Sequence, residues 1–324
     1  MTDPRAKVTV VVPYYNERDN LPYLLAKMSE QTLSPHEVIL VNSSSTDASS
    51  QFIDEWISVK QPRVRFRNLN AFTSTPGGSK SAGVKASSSD LFAFMDCGLE
   101  FPRDWLERQV AALTEQGADW VSGVCLTQGT TLVDKAAIAH TYGYQTARPV
   151  IPGSVVRRHV FDRIGLFKDL RAGYDAEWAR ASERAGLKRV VNKDVVVKYQ
   201  GVNFASGMSG VFMKSLRYAR PSVGRNDTVV PYIYVVASLV GLALVSTILA
   251  GNTPPVFLAL GLVLYLLARL VIAARKSSDL AYFWRSPLRL LALICVGLVM
   301  DIGKTCGFVS GIYLRFIRKR DLVA

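Results

Sequence analysis

The chain has 324 residues, with 39 Lys and Arg against 26 Asp and Glu, a formal net charge of +13, and 49% hydrophobic residues. That length allows one domain of about 200 residues and a smaller second part. Four scattered cysteines, Cys97, Cys125, Cys295 and Cys306, give neither a metal spacing nor a disulfide ladder, and three histidines give no metal cluster. The basic excess suits a polyanionic partner. Because apolar runs dominate from Val229 onward, a membrane surface accounts for it better than nucleic acid, which is not expected as a partner. The first apolar run, Val8 to Val12, is too short for a cleavable signal peptide.

Lys7 to Val12, closed by Pro13, reads as a first buried strand. A polar loop, Tyr14 to Arg18, leads to a helix over Leu21 to Ser29. Glu37 to Val41 is a second strand, opening into Asn42-Ser43-Ser44-Ser45-Thr46-Asp47, small polar residues suited to capping a helix that runs to Trp56. Val64 to Arg67 is a short third strand, and a helix is expected over Ser79 to Lys85 after Pro76-Gly77-Gly78. Leu91 to Met95 then runs into Asp96 and, two positions later, Gly98, as a strand buried on both faces would. Strand and helix alternate throughout, the pattern of a doubly wound α/β domain.

This order puts Asn16, Glu17, Asn42, Lys80 and Asp96 at one sheet edge, where open α/β sheets bind ligands. A lone strand-end aspartate caps a turn as often as it binds a ligand. Neither G-x-G-x-x-G nor G-x-x-x-x-G-K-[ST] occurs, so dinucleotide and P-loop readings lose support.

Five segments in order now resemble the family 2 glycosyltransferases over about Val8 to Lys198. They are Val12-Pro13-Tyr14-Tyr15-Asn16-Glu17; Asn42 to Asp47; Lys80-Ser81-Ala82-Gly83 with Asp96-Cys97-Gly98; Gly153-Ser154 with Phe161 to Phe167; and Gly173-Tyr174-Asp175-Ala176-Glu177-Trp178 with Arg180. The resemblance implies a nucleotide-sugar-binding α/β domain of the GT-A kind, with a mostly parallel sheet, and inverting transfer. It implies donor contacts from Pro13, Tyr15, Asn16, Glu17, Asn42, Lys80 and Asp96, and Asp175 as general base. It also implies Glu177, Trp178 and Arg180 on the acceptor side. Two departures stand out: the acidic pair on the second strand is reduced to Asn42, and the Asp-x-Asp has lost one carboxylate. One carboxylate with phosphate oxygens and water still holds a hard divalent cation, so Mg2+ or Mn2+ is expected at Asp96. Helix capping by Asp175 or Glu177 is the plainer alternative.

Beyond Gln200 the character changes. Residues 204–228 read as an amphipathic interfacial helix, with Arg217 and Arg220 available to phosphate groups. Spans are expected at about 229–250, 254–274 and 288–317. In the third, Asp301 and Lys304 share one helical face, and a re-entrant hairpin is the alternative to a full span. Arg275, Lys276, Arg285 and Arg289 place the loop after the second span in the cytoplasm, and the catalytic domain, residues 1–203, on the same side.

The expectation is therefore a multi-pass inner-membrane enzyme. It would move a sugar from a UDP- or GDP-sugar to a polyprenyl-linked saccharide, in polysaccharide assembly resembling the succinoglycan type. Transfer to polyprenyl phosphate itself is a second enzyme reading. A degenerate, non-catalytic binding or scaffold module is a third.

Overall fold

The computed structural model describes residues 7–71, 73, 75–199, 207–220, 223, 246–251 and 256–317. The chain divides into two compact units, Met1–Leu126 with Ala147–Gln200, and Thr127–Thr146 with Gly201–Ala324.

The first unit is built on one eight-stranded sheet. Strand β1 (Val8–Tyr14) is a run of branched apolar residues and lies at its centre, almost wholly buried. Helix α1 (Leu21–Ser29) returns the chain to β2 (Glu37–Asn42), and α2 (Ser49–Lys60) leads to β3 (Arg65–Asn70). Helix α3 (Pro76–Lys85) then crosses to β4 (Leu91–Phe94) on the other side of β1. Strands β3, β2, β1 and β4 are parallel. Because the chain leaves β1 for β2 on one side and comes back to β4 on the other, the β1/β4 edge is a topological switch point, where open sheets of this type form their crevice.

After β5 (Leu99–Glu100) and α4 (Trp105–Glu115) the pairing changes sense. Strands β6 (Trp120–Thr127), β7 (Ala147–Arg157) and β8 (Arg189–Tyr199) complete the order β3-β2-β1-β4-β7-β6-β8-β5. The β4–β7, β6–β7 and β5–β8 pairings are all antiparallel. The expected mostly parallel sheet is thus half parallel and half antiparallel among the printed pairings. One face carries a core from Val10 and Leu24 to Trp105 and Val197. On the other, Phe92, Phe94, Phe161, Phe167, Trp120 and Trp178 form an aromatic cluster of edge-to-face and tilted pairs. Helices α6 (Arg158–Ile164) and α7 (Tyr174–Arg184) close over that face.

The second unit contains α5 (Leu132–His140), α8 (Gly207–Ala219), α9 (Val256–Lys276), the short α10 (Ala281–Trp284) and α11 (Pro287–Ile312), whose last turns, Tyr313–Ile317, are π-helical. Residues 127–146, expected inside the catalytic domain, belong here. His140 Nε2 donates to the Leu293 carbonyl at 2.8 Å, and the Tyr144 amide donates to Ser277 Oγ at 3.0 Å. Helix α8 runs alongside α11 in the same direction. A Cβ on Gly303 would come within 2.7 Å of the Phe212 carbonyl, and Cβ atoms on Gly307 and Gly311 would collide with the Leu216 and Arg220 carbonyls. Small residues at four-residue spacing let two backbones approach this closely. In the stretch where an interfacial helix was expected, α8 is stacked lengthwise on α11.

Asp301 and Lys304 lie within one uninterrupted helix, so the hairpin alternative is overturned. Among the described residues one helix, Pro287–Ile317, 31 residues long, is long and apolar enough to cross a membrane. Helix α9 falls where the second span was expected, with Phe257, Leu260, Leu264 and Leu267 exposed. Most of the first expected span, 229–245, lies outside the described residues.

Candidate active site

A cleft of about 190 Å3 opens beyond the carboxyl ends of β1, β2 and β4, lined by Pro13, Tyr15, Glu17, Ser43, Asp96 and Arg171 among others. Its organising element is α3. Thr75 caps the helix by accepting from the Gly78 amide at 3.1 Å. Gly83 has no side chain to keep the helix off Val11 of β1, where a Cβ would collide. This tight seat places Lys80, one turn earlier, wholly inside the protein at the sheet edge.

Lys80 Nζ donates to Asp96 Oδ1 at 2.6 Å. The Lys80 side chain is 0% exposed and that of Asp96 is 29% exposed. Burial alone would lower the Lys80 pKa, but the Asp96 carboxylate, with Tyr174 adding to it, outweighs burial and raises it. Lys80 is therefore a fixed cation. It also lies 5.6 Å from the centre of the Tyr174 ring.

Tyr174 opens α7. Its neighbourhood is set by ties from α3: Ser81 Oγ donates to the Phe167 carbonyl at 2.8 Å, and Thr73 and Thr75 hydroxyls both donate to Asp169 Oδ1. Gly77 lies so close to the Lys168 carbonyl and the Tyr174 ring that a Cβ would strike both. The Tyr174 phenol is pushed up to about 12, first by burial, opposed by Lys80, and then by the negative charges of Asp96 and Asp175. Asp175 sits in the first turn of α7, whose N-cap is Gly173 with φ +77°, and is half-buried. The helix dipole favours its charge.

The expected site residues divide into three groups. Pro13, Tyr15, Glu17 and Asp96 line the cleft, and Tyr15 is 53% exposed. Lys80 stands behind Asp96. Asn16 and Asn42 instead hold the loop above β2. Asn16 Oδ1 accepts from the Thr46 amide at 2.8 Å, and Asn42 Oδ1 accepts from the Ser45 amide at 2.9 Å while its Nδ2 donates to Asn70 at 3.0 Å. With its amide spent this way and 8% exposed, Asn42 is a loop brace and does not line the cleft. Trp178 is a correction too: it is 4% exposed in the aromatic cluster and its Nε1 donates to the Gly165 carbonyl at 3.1 Å, so it is a core residue. Glu177 pairs with Lys168 beside it. Arg180 lies half-buried one turn further along α7. Arg217 and Arg220 belong to the second unit. Sequence reasoning passed over Arg171, Tyr174 and Tyr199; Arg171 and Tyr199 line the cleft, and Tyr174 was flagged only by adjacency to Asp175.

A divalent cation at this cleft would meet Asp96, one oxygen already taken by Lys80, and Glu17, whose carboxyl burial pushes up, eased by Asn20 and raised further by Asp96 and Asp47. The Cys97 thiol is raised well above its usual value by burial and by the Glu17 and Asp96 charges, so it stays protonated and is a poor ligand. No group of three or more His, Cys, Asp or Glu converges among the described residues. This donor set fits a cation held partly by a ligand's own oxygens, through Asp96, rather than one caged by protein.

The comparisons agree with this geometry. The model for Glycosyl transferase family 2 matches residues 9–170. The chain belongs to that family. It is 25% identical over 214 residues to "Glycosyltransferase AglE" of Haloferax volcanii, covering 60% of this chain and 67% of that protein. It is 33% identical over 118 residues to "Undecaprenyl-phosphate 4-deoxy-4-formamido-L-arabinose transferase" of Proteus mirabilis, covering 36% of each chain. It therefore spans about two thirds of the first and little over a third of the second. Its fold resembles that of the mannosyltransferase PcManGT of Pyrobaculum calidifontis, solved with GDP-Man and Mn2+, at 18% identity and a TM-score of 0.57 over 94% of this chain and 88% of that one.

Proposed function

We propose that this family 2 glycosyltransferase is a membrane-anchored, inverting enzyme that moves a sugar from a nucleotide diphosphate donor to a lipid-linked acceptor. The observation that carries the reading is the Lys80–Asp96 pair at the switch-point cleft, packed against Tyr174 at the start of α7, where Asp175 follows. The donor's diphosphate would lie at Asp96, with Arg171 available to its charge. Mg2+ or Mn2+ held by Asp96 and the diphosphate would supply positive charge to the leaving group. Lys80 holds Asp96 in place through their 2.6 Å contact. Asp175 would take the proton of the attacking hydroxyl, and direct displacement would invert the anomeric carbon. The solved mannosyltransferase binds a GDP-sugar with Mn2+, which supports this donor class.

An apolar helix of 31 residues supports the membrane anchor, and the basic residues after α9 favour a catalytic unit on the cytoplasmic side. For the acceptor, the reading is a polyprenyl-linked saccharide. The name of the arabinose relatives favours polyprenyl phosphate itself as a second reading.

The test is a screen of radiolabelled UDP- and GDP-sugars on membranes containing the chain, followed by lipid extraction. Label in the organic phase, released by mild acid and lost with Asp175→Asn, supports the reading; the size of the released saccharide separates the two acceptors. No affinity for any nucleotide sugar by calorimetry, with or without Mn2+, would favour a non-catalytic scaffold.

A further inference from the structure

The Pro76-Gly77-Gly78 start of α3 does more than open a helix. Residues 167–173 lie across it as a strap. Phe167 and Tyr174, both buried in the aromatic core, anchor the two ends, while Lys168, Asp169 and Arg171 between them are exposed. The glycines make the crossing possible. A Cβ on Gly77 would collide with the Lys168 carbonyl, and one on Gly78 would collide with Thr73 Oγ1 and Asp169 Oδ1.

Asp169 is the fastening. Its Oδ1 accepts from the Thr73 hydroxyl at 2.7 Å and also from the hydroxyl of Thr75, the residue that caps α3. Beside it the Gly77 amide, a first-turn donor with no partner inside its own helix, donates to the Leu170 carbonyl at 3.4 Å. Two positions beyond Asp169, Arg171 reaches the cleft, where it is the one cation among the described lining residues, alongside the carboxylates of Glu17 and Asp96. Arg171 itself has neither an ion pair nor a hydrogen bond among the described residues. A long side chain on a free loop loses rotamer and backbone freedom when it grips a ligand; a loop already clasped loses less.

We propose that Asp169 is a positioning residue: by clasping the strap to α3 it holds Arg171 where the diphosphate of the donor meets it. This rests on the nucleotide diphosphate donor proposed above. A carboxylate so near a phosphate-binding arginine would oppose an anion if it stood free. Here one oxygen is engaged by two hydroxyls at the N-terminus of α3, where the helix dipole offsets its charge. The helix that receives the clasp also seats Lys80 against Asp96, so Arg171 and Asp96 are set by one rigid element.

The test is a double-mutant cycle on the full chain in detergent, read by calorimetry with UDP and with GDP, each with Mn2+. Arg171→Ala should weaken binding of the nucleotide that the wild type takes by about 10–100-fold. Asp169→Ala should weaken it by about tenfold, and the double variant should bind no more weakly than Arg171→Ala alone. Asp169→Asn, whose amide oxygen still accepts from both hydroxyls, should restore most of the affinity. Hydrogen exchange reads the strap itself: Asp169→Ala should speed exchange over residues 167–175 and leave β1 unchanged. Losses that multiply in the double variant, full affinity in Asp169→Ala, or an unaltered strap in that variant each overturn the proposal. A wild-type chain that binds neither nucleotide overturns the donor reading and the role of Arg171 with it. That failure is distinct from failure of the clasp alone, in which the wild type binds and the cycle is additive.

Discussion

Lys80 and Asp96 form an asymmetric pair: the ammonium is wholly enclosed by α3 and the sheet, whereas the carboxylate 2.6 Å away keeps one side open to the cleft. Sixteen positions of chain separate them, yet the tight approach of Gly83 to Val11 leaves the lysine no other place to put its charge.

That asymmetry sets the order of two mutational costs. Asp96→Asn leaves a buried ammonium without its counter-charge and should lower stability by about 3–5 kcal/mol. Lys80→Met leaves a carboxylate that water can reach, so its cost should be well below that. Urea denaturation of the two variants checks the order; equal losses would contradict the burial difference.

Asp175 faces a different test, because nothing in its surroundings suggests a structural debt: the N-cap of α7 is Gly173, and no side-chain cap bond is made. Asp175→Asn should leave nucleotide-sugar affinity near its original value while kcat drops by about 10²–10⁴-fold. Calorimetry and single-turnover assays on one preparation measure both. Retained turnover would reassign the proton to another group.

The stacking of α8 on α11 predicts a graded steric series. Gly307→Ala puts a methyl group into the Leu216 carbonyl and should cost about 1–3 kcal/mol, with Gly307→Leu worse. Gly261, which has open space around it, serves as the control position and should tolerate alanine. Tm values in detergent report the difference.

His140 gives a pH dependence with a definite sign. Held near 4 in the folded protein by burial and then by Arg269, it titrates near 6.5 once unfolded. Between those values the unfolded chain binds the extra proton. Stability of the lipid-free protein should therefore fall as pH drops from about 6.5 to about 4, by about 3 kcal/mol, and level off below. His140→Gln, which can still donate to the Leu293 carbonyl, should flatten the profile.

Local pattern revealed much of this architecture. The apolar runs at Val8, Glu37 and Leu91 locate three central strands, and α1 falls on its expected residues, because burial and helical spacing are written in neighbouring positions. Asp96 and Glu17 reach the cleft because strand ends converge at a switch point whatever the loops do. What failed was decided by distant chain. Trp178 looks like a surface residue beside two acids, yet Phe161 and Phe167 enclose it. Asn42 reads as a base contact until Ser45 and Asn70 are seen to occupy its amide. The antiparallel half of the sheet and the transfer of residues 127–146 to the second unit depend on pairings that no single window contains.

The allegiance of α5 has a practical side. Its Ala136, Ala137, Ile138 and Ala139 are fully covered, and the C-terminal helices pack against this helix. A polypeptide ending at Gln200 would carry every residue of the cleft and still display that greasy ridge to water, inviting aggregation. Trimming such an enzyme to its sugar-handling half therefore calls for re-surfacing the Leu132–His140 helix, and during synthesis the same ridge must wait, shielded by something else, until the last third of the chain is made.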